Sequence, residues 1–85
     1  MQVTLDAMRR VLARKFGIND PDLSMDREIA SLGFDSLAFV EYAFELEGEL
    51  GISLPDLPRD LVTIGDLARF VDAEVVRKAS AAASG

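Results

Sequence analysis

The chain has 85 residues, a length that predicts one domain around a single small core. Hydrophobic residues make up 49% of it, which is enough for a globular fold and argues against intrinsic disorder. Cysteine and histidine are both absent, which excludes disulfides, thiolate nucleophiles, Cys/His zinc sites and histidine proton shuttles. Because most of the usual catalytic groups are missing, we expect a protein that is not an enzyme and holds no metal.

No run of 18 or more apolar residues occurs, so no membrane-spanning helix is predicted. Residues 1–6 lack a basic region followed by an apolar stretch, so we predict no secretory signal. A soluble cytoplasmic protein is the expectation that follows from both observations.

The net charge is −6, and the acidic residues are concentrated in the middle of the chain. No Lys or Arg lies between Arg27 and Arg59. The acidic residues of this stretch are Glu28, Asp35, Glu41, Glu45, Glu47, Glu49 and Asp56. We expect such a surface to repel nucleic acid and anionic lipid and to attract basic patches on partner proteins. The chain is expected to be a monomer with no nucleic-acid or membrane partner.

The first predicted helix covers residues 4–16, where apolar residues recur at the spacing of one helical face. These residues are Leu5, Met8, Leu12 and Phe16. Gly17 follows them and is typical of a helix C-terminus. We assign this helix to the core and give it no function.

Residues 17–34 show no sustained period, and the Asn19-Asp20-Pro21 turn signal supports a long loop. A single helical turn around residues 26–31 is compatible with the pattern. We expect the apolar residues of this loop to hold it against the core: Leu23, Ile29 and Leu32.

The second predicted helix covers residues 36–50, and Asp35 before it is suited to capping its first N–H groups. Ser36 then lies in the first turn, at the positive end of the helix dipole. A phosphate ester at that position would meet unpaired backbone donors and a favourable field. The simpler interpretation is that Asp35 and Ser36 only cap a helix.

Two apolar stripes run along this helix, although an amphipathic helix needs only one. The predicted core stripe contains Phe39, Ala43, Leu46 and Leu50, with Tyr42 on its flank. The second stripe consists of Leu37, Val40 and Phe44, bordered by Glu41 and Glu47. Either the long loop folds over the second stripe and buries it, or the stripe stays exposed for docking a partner.

Pro55 and Pro58 limit residues 52–62 to one helical turn at most, and we expect this segment to flank one side of Ser36. The last predicted helix covers residues 64–78, where Thr63 and Asp66 fit a capping pattern. Its predicted buried stripe is Ile64, Leu67, Ala68, Val71 and Val75. The domain is expected to cover residues 1–79, with a disordered tail at 80–85.

The stretch Leu32-Gly33-Phe34-Asp35-Ser36-Leu37 does not stand alone. It is followed at fitting distances by Val40-Glu41, Leu46-Glu47, Leu50, Pro55-Asp56 and Thr63-Ile64. Over residues 4–78 this pattern resembles the acyl carrier protein family. The resemblance implies an all-α, small four-helix bundle with a long first loop, three main helices and a short third helix or 3₁₀ turn.

The resemblance also implies a site. In this family the serine of the Asp-Ser-Leu motif, here Ser36, carries 4′-phosphopantetheine, which a phosphopantetheinyl transferase attaches from coenzyme A. The terminal thiol of that arm holds an acyl group as a thioester, and Asp35 places a carboxylate beside the ester. The second helix is the surface that partner enzymes read. By resemblance its apolar anchors are Leu37, Val40 and Phe44, and its orienting carboxylates are Glu41 and Glu47.

The implied partners are an acyltransferase or ligase, a ketosynthase and other enzymes of the pathway. The Gly-aromatic-Asp-Ser-Leu-Ala form looks most like discrete bacterial carriers of polyketide or specialised-metabolite pathways. A fatty-acid synthesis carrier comes second, and an aminoacyl or peptidyl carrier third, because peptidyl carriers more often show two glycines before the motif. Phe39 either packs in the core or narrows a cargo cavity toward short or polar groups. An alternative from a different functional class is an acidic helical adaptor protein that is never modified.

Overall fold

The computed structural model describes residues 1–19, 23–54, 57–58 and 60–84, with residues 81–84 described by their backbone alone. These residues form three α-helices: α1 at Gln2–Phe16, α2 at Ser36–Leu50 and α3 at Ile64–Ser84. A 3₁₀ turn at Ile29–Leu32 lies in the first loop. The predicted all-α bundle with a long first loop is thus confirmed. Both α2 and α3 pack against α1.

The core lies between the three helices and is closed by apolar residues of the loops. Its largest fully buried apolar side chains are Met8, Val11, Leu12, Tyr42, Leu46, Ile64, Leu67 and Val71. The predicted inner face of α1 is only partly right, because Leu5 and Phe16 are half-buried while Ala7 and Val11 are fully buried. A helix that packs against two others buries a wide face, and small residues such as Ala7 contribute to it.

Thr4 is a polar residue that is nevertheless fully buried. Its hydroxyl donates to Asp72 Oδ1 over 2.7 Å, so its burial leaves the group hydrogen-bonded. This bond joins the first turn of α1 to the middle of α3. The hydrogen bond from Thr4 is also the first cause of the lowered pKa of Asp72.

The first loop is attached to the start of α3 by backbone pairing. Three hydrogen bonds of 2.8 Å make this attachment: Ile29 N–H to Val62 O, Ile64 N–H to Arg27 O and Gly65 N–H to Met25 O. An isolated antiparallel bridge pairs Glu28 with Thr63 between them. Because the loop is held here, the 3₁₀ turn and the residues leading into α2 have a fixed place. The predicted anchors Leu23 and Ile29 are buried, and Leu32 packs against the core.

The segment between α2 and α3 shows no helix in its described residues, 52–54, 57–58 and 60–62. The single turn predicted for it falls partly on Pro55, Asp56 and Arg59, which lie outside the described part of the chain. Leu54 is buried, and Leu57 and Leu61 pack against the core. The segment therefore forms a wall beside the core.

The last helix is longer than predicted. α3 runs to Ser84, so the predicted end at residue 78 is wrong. Alanine has the highest helix propensity, and the run that follows Lys78 continues the helix although Ala79 and Ser80 bury nothing. The division into a domain at 1–79 and a disordered tail at 80–85 stays a prediction.

Two glycines of this fold should respond in opposite ways to a methyl group. A Cβ at Gly65 would lie 2.9 Å from the carbonyl oxygen of Met25, whereas a Cβ at Gly48 meets nothing within 4 Å. We expect Gly65→Ala to destabilise the protein by about 1–3 kcal/mol through the clash with backbone. Gly48→Ala should stabilise it by about 0.5–1 kcal/mol through helix propensity. Urea unfolding of both variants checks this, and equal effects of one sign would contradict it.

The start of α3 should make stability depend on acid pH. Asp66 accepts the backbone N–H groups of Thr63 and Val62, each over 3.1 Å, and these bonds, Thr63 first, lower the pKa of its carboxyl. A lowered folded pKa adds stability above the unfolded value of about 4, and this stability is lost as the pH falls through the folded pKa. Asp66→Asn should therefore melt below the wild type at pH 7, and the difference in melting temperature should shrink as the pH falls below the unfolded pKa of about 4 and through the lowered folded pKa. A gap that is constant with pH would exclude the carboxylate as the cause.

Candidate functional site

The turn into α2 fixes the position of Ser36. Gly33 has a φ of 82°, a left-handed conformation that glycine adopts without a Cβ clash. Asp35 is extended and its Oδ1 accepts the N–H of Ala38 over 2.7 Å, which confirms the predicted cap. Ser36 is then the first residue of α2, and its side chain is exposed to solvent. An exposed hydroxyl at a helix N-terminus is accessible to a modifying enzyme.

A groove opens beside Ser36, which we call the serine groove. Its volume is about 660 Å³, and Asp35 and Glu28 lie on its lining together with Ser36. The apolar lining comes from the 3₁₀ turn, from α2 and from the segment before α3, and includes Ile29, Phe34, Phe39, Leu57, Leu61 and Val62. Residues of 52–62 thus flank Ser36 as predicted. Phe39 both packs against the core and lines the groove, and its effect on cargo size stays a prediction.

Three aromatic rings pack together at the point where the first loop enters α2. The ring centroid of Phe34 lies 4.8 Å from that of Phe16 and 5.5 Å from that of Tyr42. The rings of Phe16 and Tyr42 meet edge to face at 5.8 Å. Tyr42 is fully buried and its hydroxyl donates to Met8 O over 3.1 Å; burial raises the pKa of this hydroxyl. We call these three residues the aromatic cluster.

The second stripe is exposed. Leu37, Val40 and Phe44 are 66%, 58% and 71% exposed, so the described part of the first loop does not fold over them. Burying one such side chain is worth about 1.5–3 kcal/mol, a gain that the isolated chain leaves unused at three adjacent positions. Adjacent exposed apolar side chains of this kind mark interaction surfaces.

A second cavity adjoins this stripe where α1 ends beside α2. The α1–α2 cleft has a volume of about 450 Å³ and is lined by Lys15, Phe16, Val40, Glu41, Phe44 and Glu45. Two residues of the second stripe therefore lie on its walls. Lys15 and Phe16, to which the sequence assigned only a structural place, belong to the surface around the site.

The negative charge of α2 is partly neutralised by α1. Glu49 pairs with Arg10 at 2.8 Å and with Arg14 at 3.3 Å, and hydrogen bonds from these residues, Arg10 first, lower its pKa. Glu45 lies 3.5 Å from the ammonium of Lys15 and 3.7 Å from Arg14. The count of acidic residues along the sequence therefore overstates the charge that α2 shows to a partner.

The two carboxylates predicted to orient partners differ in their surroundings. Glu41 is exposed and forms no ion pair with any described side chain. Glu47 is half-buried, and its Oε2 accepts the N–H of Leu54 over 2.6 Å. Glu47 thus holds the segment after α2 in place, and its role toward partners stays a prediction.

Comparison with known families identifies this arrangement. The profile described as phosphopantetheine attachment site matches residues 6–71, most of the chain. The chain belongs to the phosphopantetheine attachment site family. Members of this family are carrier domains with a covalently attached 4′-phosphopantetheine. The exposed hydroxyl of Ser36 and the serine groove beside it fit such an arm, and the first-turn N–H groups of α2 suit its phosphate.

A curated relative comes from a fungus. Over 72 residues, 85% of this chain, the sequence is 36% identical to the non-reducing polyketide synthase dbaI of Emericella nidulans. The chain spans 3% of the length of that synthase, so the similarity concerns one small part of a large protein. The bacterial origin expected from the sequence stays a prediction.

The described residues contain neither a metal-binding cluster nor a helix that could span a membrane. Among them, no group of three or more His, Cys, Asp or Glu side chains is arranged to hold a metal ion. No described helix is long and apolar enough to cross a membrane.

Proposed function

We propose that this carrier domain bears 4′-phosphopantetheine on Ser36 and presents acyl thioesters to the enzymes of a polyketide or related specialised-metabolite pathway. The observation that carries the proposal is the exposed Ser36 hydroxyl at the capped start of α2, with an apolar groove beside it. The proposal includes a cytoplasmic location, since coenzyme A is an intracellular donor. The domain has no catalytic role in it.

Attachment is a substitution at phosphorus. Ser36 Oγ attacks the phosphorus of coenzyme A that bears the pantetheine, a new O–P bond forms, and 3′,5′-ADP leaves. The hydroxyl proton passes to a base on the transferase, since the chain has no histidine. When bound, the arm supplies a terminal thiol, which this cysteine-free chain lacks.

The residues around Ser36 hold the ester and receive the partner. The first turn of α2 offers N–H donors and the positive end of its dipole to the phosphate. Leu37, Val40 and Phe44 supply the apolar anchor, and Glu41 supplies an unneutralised carboxylate at its edge. A basic partner would be oriented by Glu41 while its apolar residues cover the second stripe.

The pathway is inferred from the form of the motif and from the similarity to part of a polyketide synthase. Fatty-acid and aminoacyl or peptidyl carriage remain the alternatives within the family. Intact mass of the protein isolated from its own host separates them, because a polyketide intermediate, a saturated acyl group and an aminoacyl group differ in mass.

Modification of Ser36 is testable by mass. The apo-protein, incubated with coenzyme A and a phosphopantetheinyl transferase of broad specificity, should gain the mass of one phosphopantetheine. Ser36→Ala should gain none, although Ser24, Ser31 and Ser53 are also exposed and remain as internal controls. A wild-type protein that gains no mass would favour the unmodified adaptor. Modification of the Ser36→Ala variant would show that a residue other than Ser36 carries the arm.

The role of Glu41 can be tested by comparison with Glu49, a carboxylate that residues of α1 already neutralise. Glu41→Gln and Glu49→Gln change the net charge equally, at positions about 12 Å apart along α2. The Debye length is about 8 Å at physiological salt. A partner that contacts Glu41 should therefore respond to the loss of that charge and hardly respond to the loss of the charge at Glu49. We expect Glu41→Gln to lower kcat/KM of the transferase about three- to tenfold and Glu49→Gln to change it less than about twofold.

Thermal unfolding serves as the control for this pair. Glu49→Gln removes the ion pairs of Glu49 with Arg10 and Arg14 and should lower the melting temperature, whereas Glu41→Gln should not. Equal losses of kcat/KM in the two variants would mean that overall charge, and not a contact at Glu41, steers the partner.

A further inference from the structure

The aromatic cluster has no part in the function proposed above, yet it adjoins the modified residue. Phe34 precedes Ser36 by two residues and follows Gly33, whose φ of 82° reverses the chain. The backbone between Phe34 and the cap at Asp35 is therefore short and has little freedom. Any movement of the Phe34 ring would be passed to Asp35 and from there to Ser36.

The ring of Phe34 is held from two sides by different helices. Phe16 is the last residue of α1 and lies 4.8 Å away, and Tyr42 lies on α2 at 5.5 Å. Tyr42 is itself tied to α1 by its hydrogen bond to Met8 O. Tilted and edge-to-face pairs of this kind are worth about 0.5–1.5 kcal/mol each beyond the area they bury. The end of the first loop is thus held by both α1 and α2, and not by α2 alone.

The cluster also lies between the two cavities. Phe34 lines the serine groove and Phe16 lines the α1–α2 cleft together with Phe44, while Val40 lines both cavities. The contact between the two rings is therefore a second connection, besides Val40, between the proposed docking surface and the surroundings of Ser36. Ser36 and the second stripe lie on the same helix, so a transferase seated on the stripe would find Ser36 in place while the capped first turn of α2 is held. Phe34 packs directly before that turn.

We infer that Phe34 is a positioning residue for the modification of Ser36: clamped by Phe16 and Tyr42, it sets the place of the Ser36 hydroxyl relative to the docking surface. The inference rests on the proposed function and deepens it. Misplacing a reacting atom by about 1 Å can cost up to a hundredfold in rate, so a loosened clamp acts on turnover. Docking itself should be preserved, because Leu37, Val40, Glu41 and Phe44 do not change.

The test uses kinetics of phosphopantetheine transfer from coenzyme A to the apo-protein. Phe34→Leu keeps an apolar side chain but removes the ring contacts; Phe34→Tyr keeps the ring. Phe70→Leu is the matched control, since Phe70 is another half-buried phenylalanine that packs against the core, on α3 and away from both cavities. We expect Phe34→Leu to lower kcat about tenfold with KM changed less than about twofold, and Phe34→Tyr to restore kcat.

A loss of stability alone would not produce this pattern. Phe70→Leu should lower the melting temperature without changing kcat or KM beyond about twofold. The amide of Ala38, which reports the Asp35 cap, should exchange faster with solvent in Phe34→Leu and not in Phe70→Leu. Equal kcat in the two leucine variants would overturn the inference, and so would a raised KM with unchanged kcat.

A double-mutant cycle tests the clamp itself. If Phe34 acts through Phe16, Phe16→Leu combined with Phe34→Leu should lower kcat about as much as Phe34→Leu alone. Additive losses would show that the two rings act independently and would reject the clamp. A wild-type protein that is never modified would instead defeat the proposed function, so the two failures are distinguishable.

Discussion

The hydrogen bond from Ala38 N–H to the Asp35 carboxylate is the interaction on which the site depends. It fixes Asp35 as the last residue outside α2 and Ser36 as the first residue inside it. A shift of the helix start by one residue would turn every α2 side chain by about 100°. In one direction of that shift, the buried Tyr42 would take the exposed position of Glu41. One cap thus sets the register of core, second stripe and serine together.

α1 shapes the surface of α2 around the candidate site, although the candidate residue Ser36 lies on α2. Arg10, Arg14 and Lys15 neutralise Glu45 and Glu49 along one side of α2, which leaves Glu41 as an exposed carboxylate beside the second stripe. A partner therefore meets a localised charge and not a uniformly acidic helix. Localised charge orients a docked partner better than it attracts a distant one, because solvent screens the long-range field.

The sequence predicted the features that depend on local pattern. The bounds of α2, the cap at Asp35 and the capping pair Thr63 and Asp66 all follow from residue types at fixed spacing, and all are confirmed. It missed features that join distant parts of the chain. The pairing of Glu49 with Arg10 spans 39 residues, and the contact of Phe16 with Phe34 depends on how the first loop turns back. Periodicity within one helix carries no information on such contacts.

The unpredicted ring contacts of Phe34 show why a sequence motif identifies only part of a site. As one letter of the Leu-Gly-Phe-Asp-Ser-Leu stretch, Phe34 helped to suggest a family, yet its ring contacts could be seen only once α1 and α2 were placed. An aromatic residue beside an exposed serine exposes a large apolar surface unless something covers it. In this fold the end of α1 covers it, and the residue that ends α1 also lines the α1–α2 cleft. Covering that ring therefore joins the wall of the α1–α2 cleft and the loop that leads to Ser36 in one packed unit.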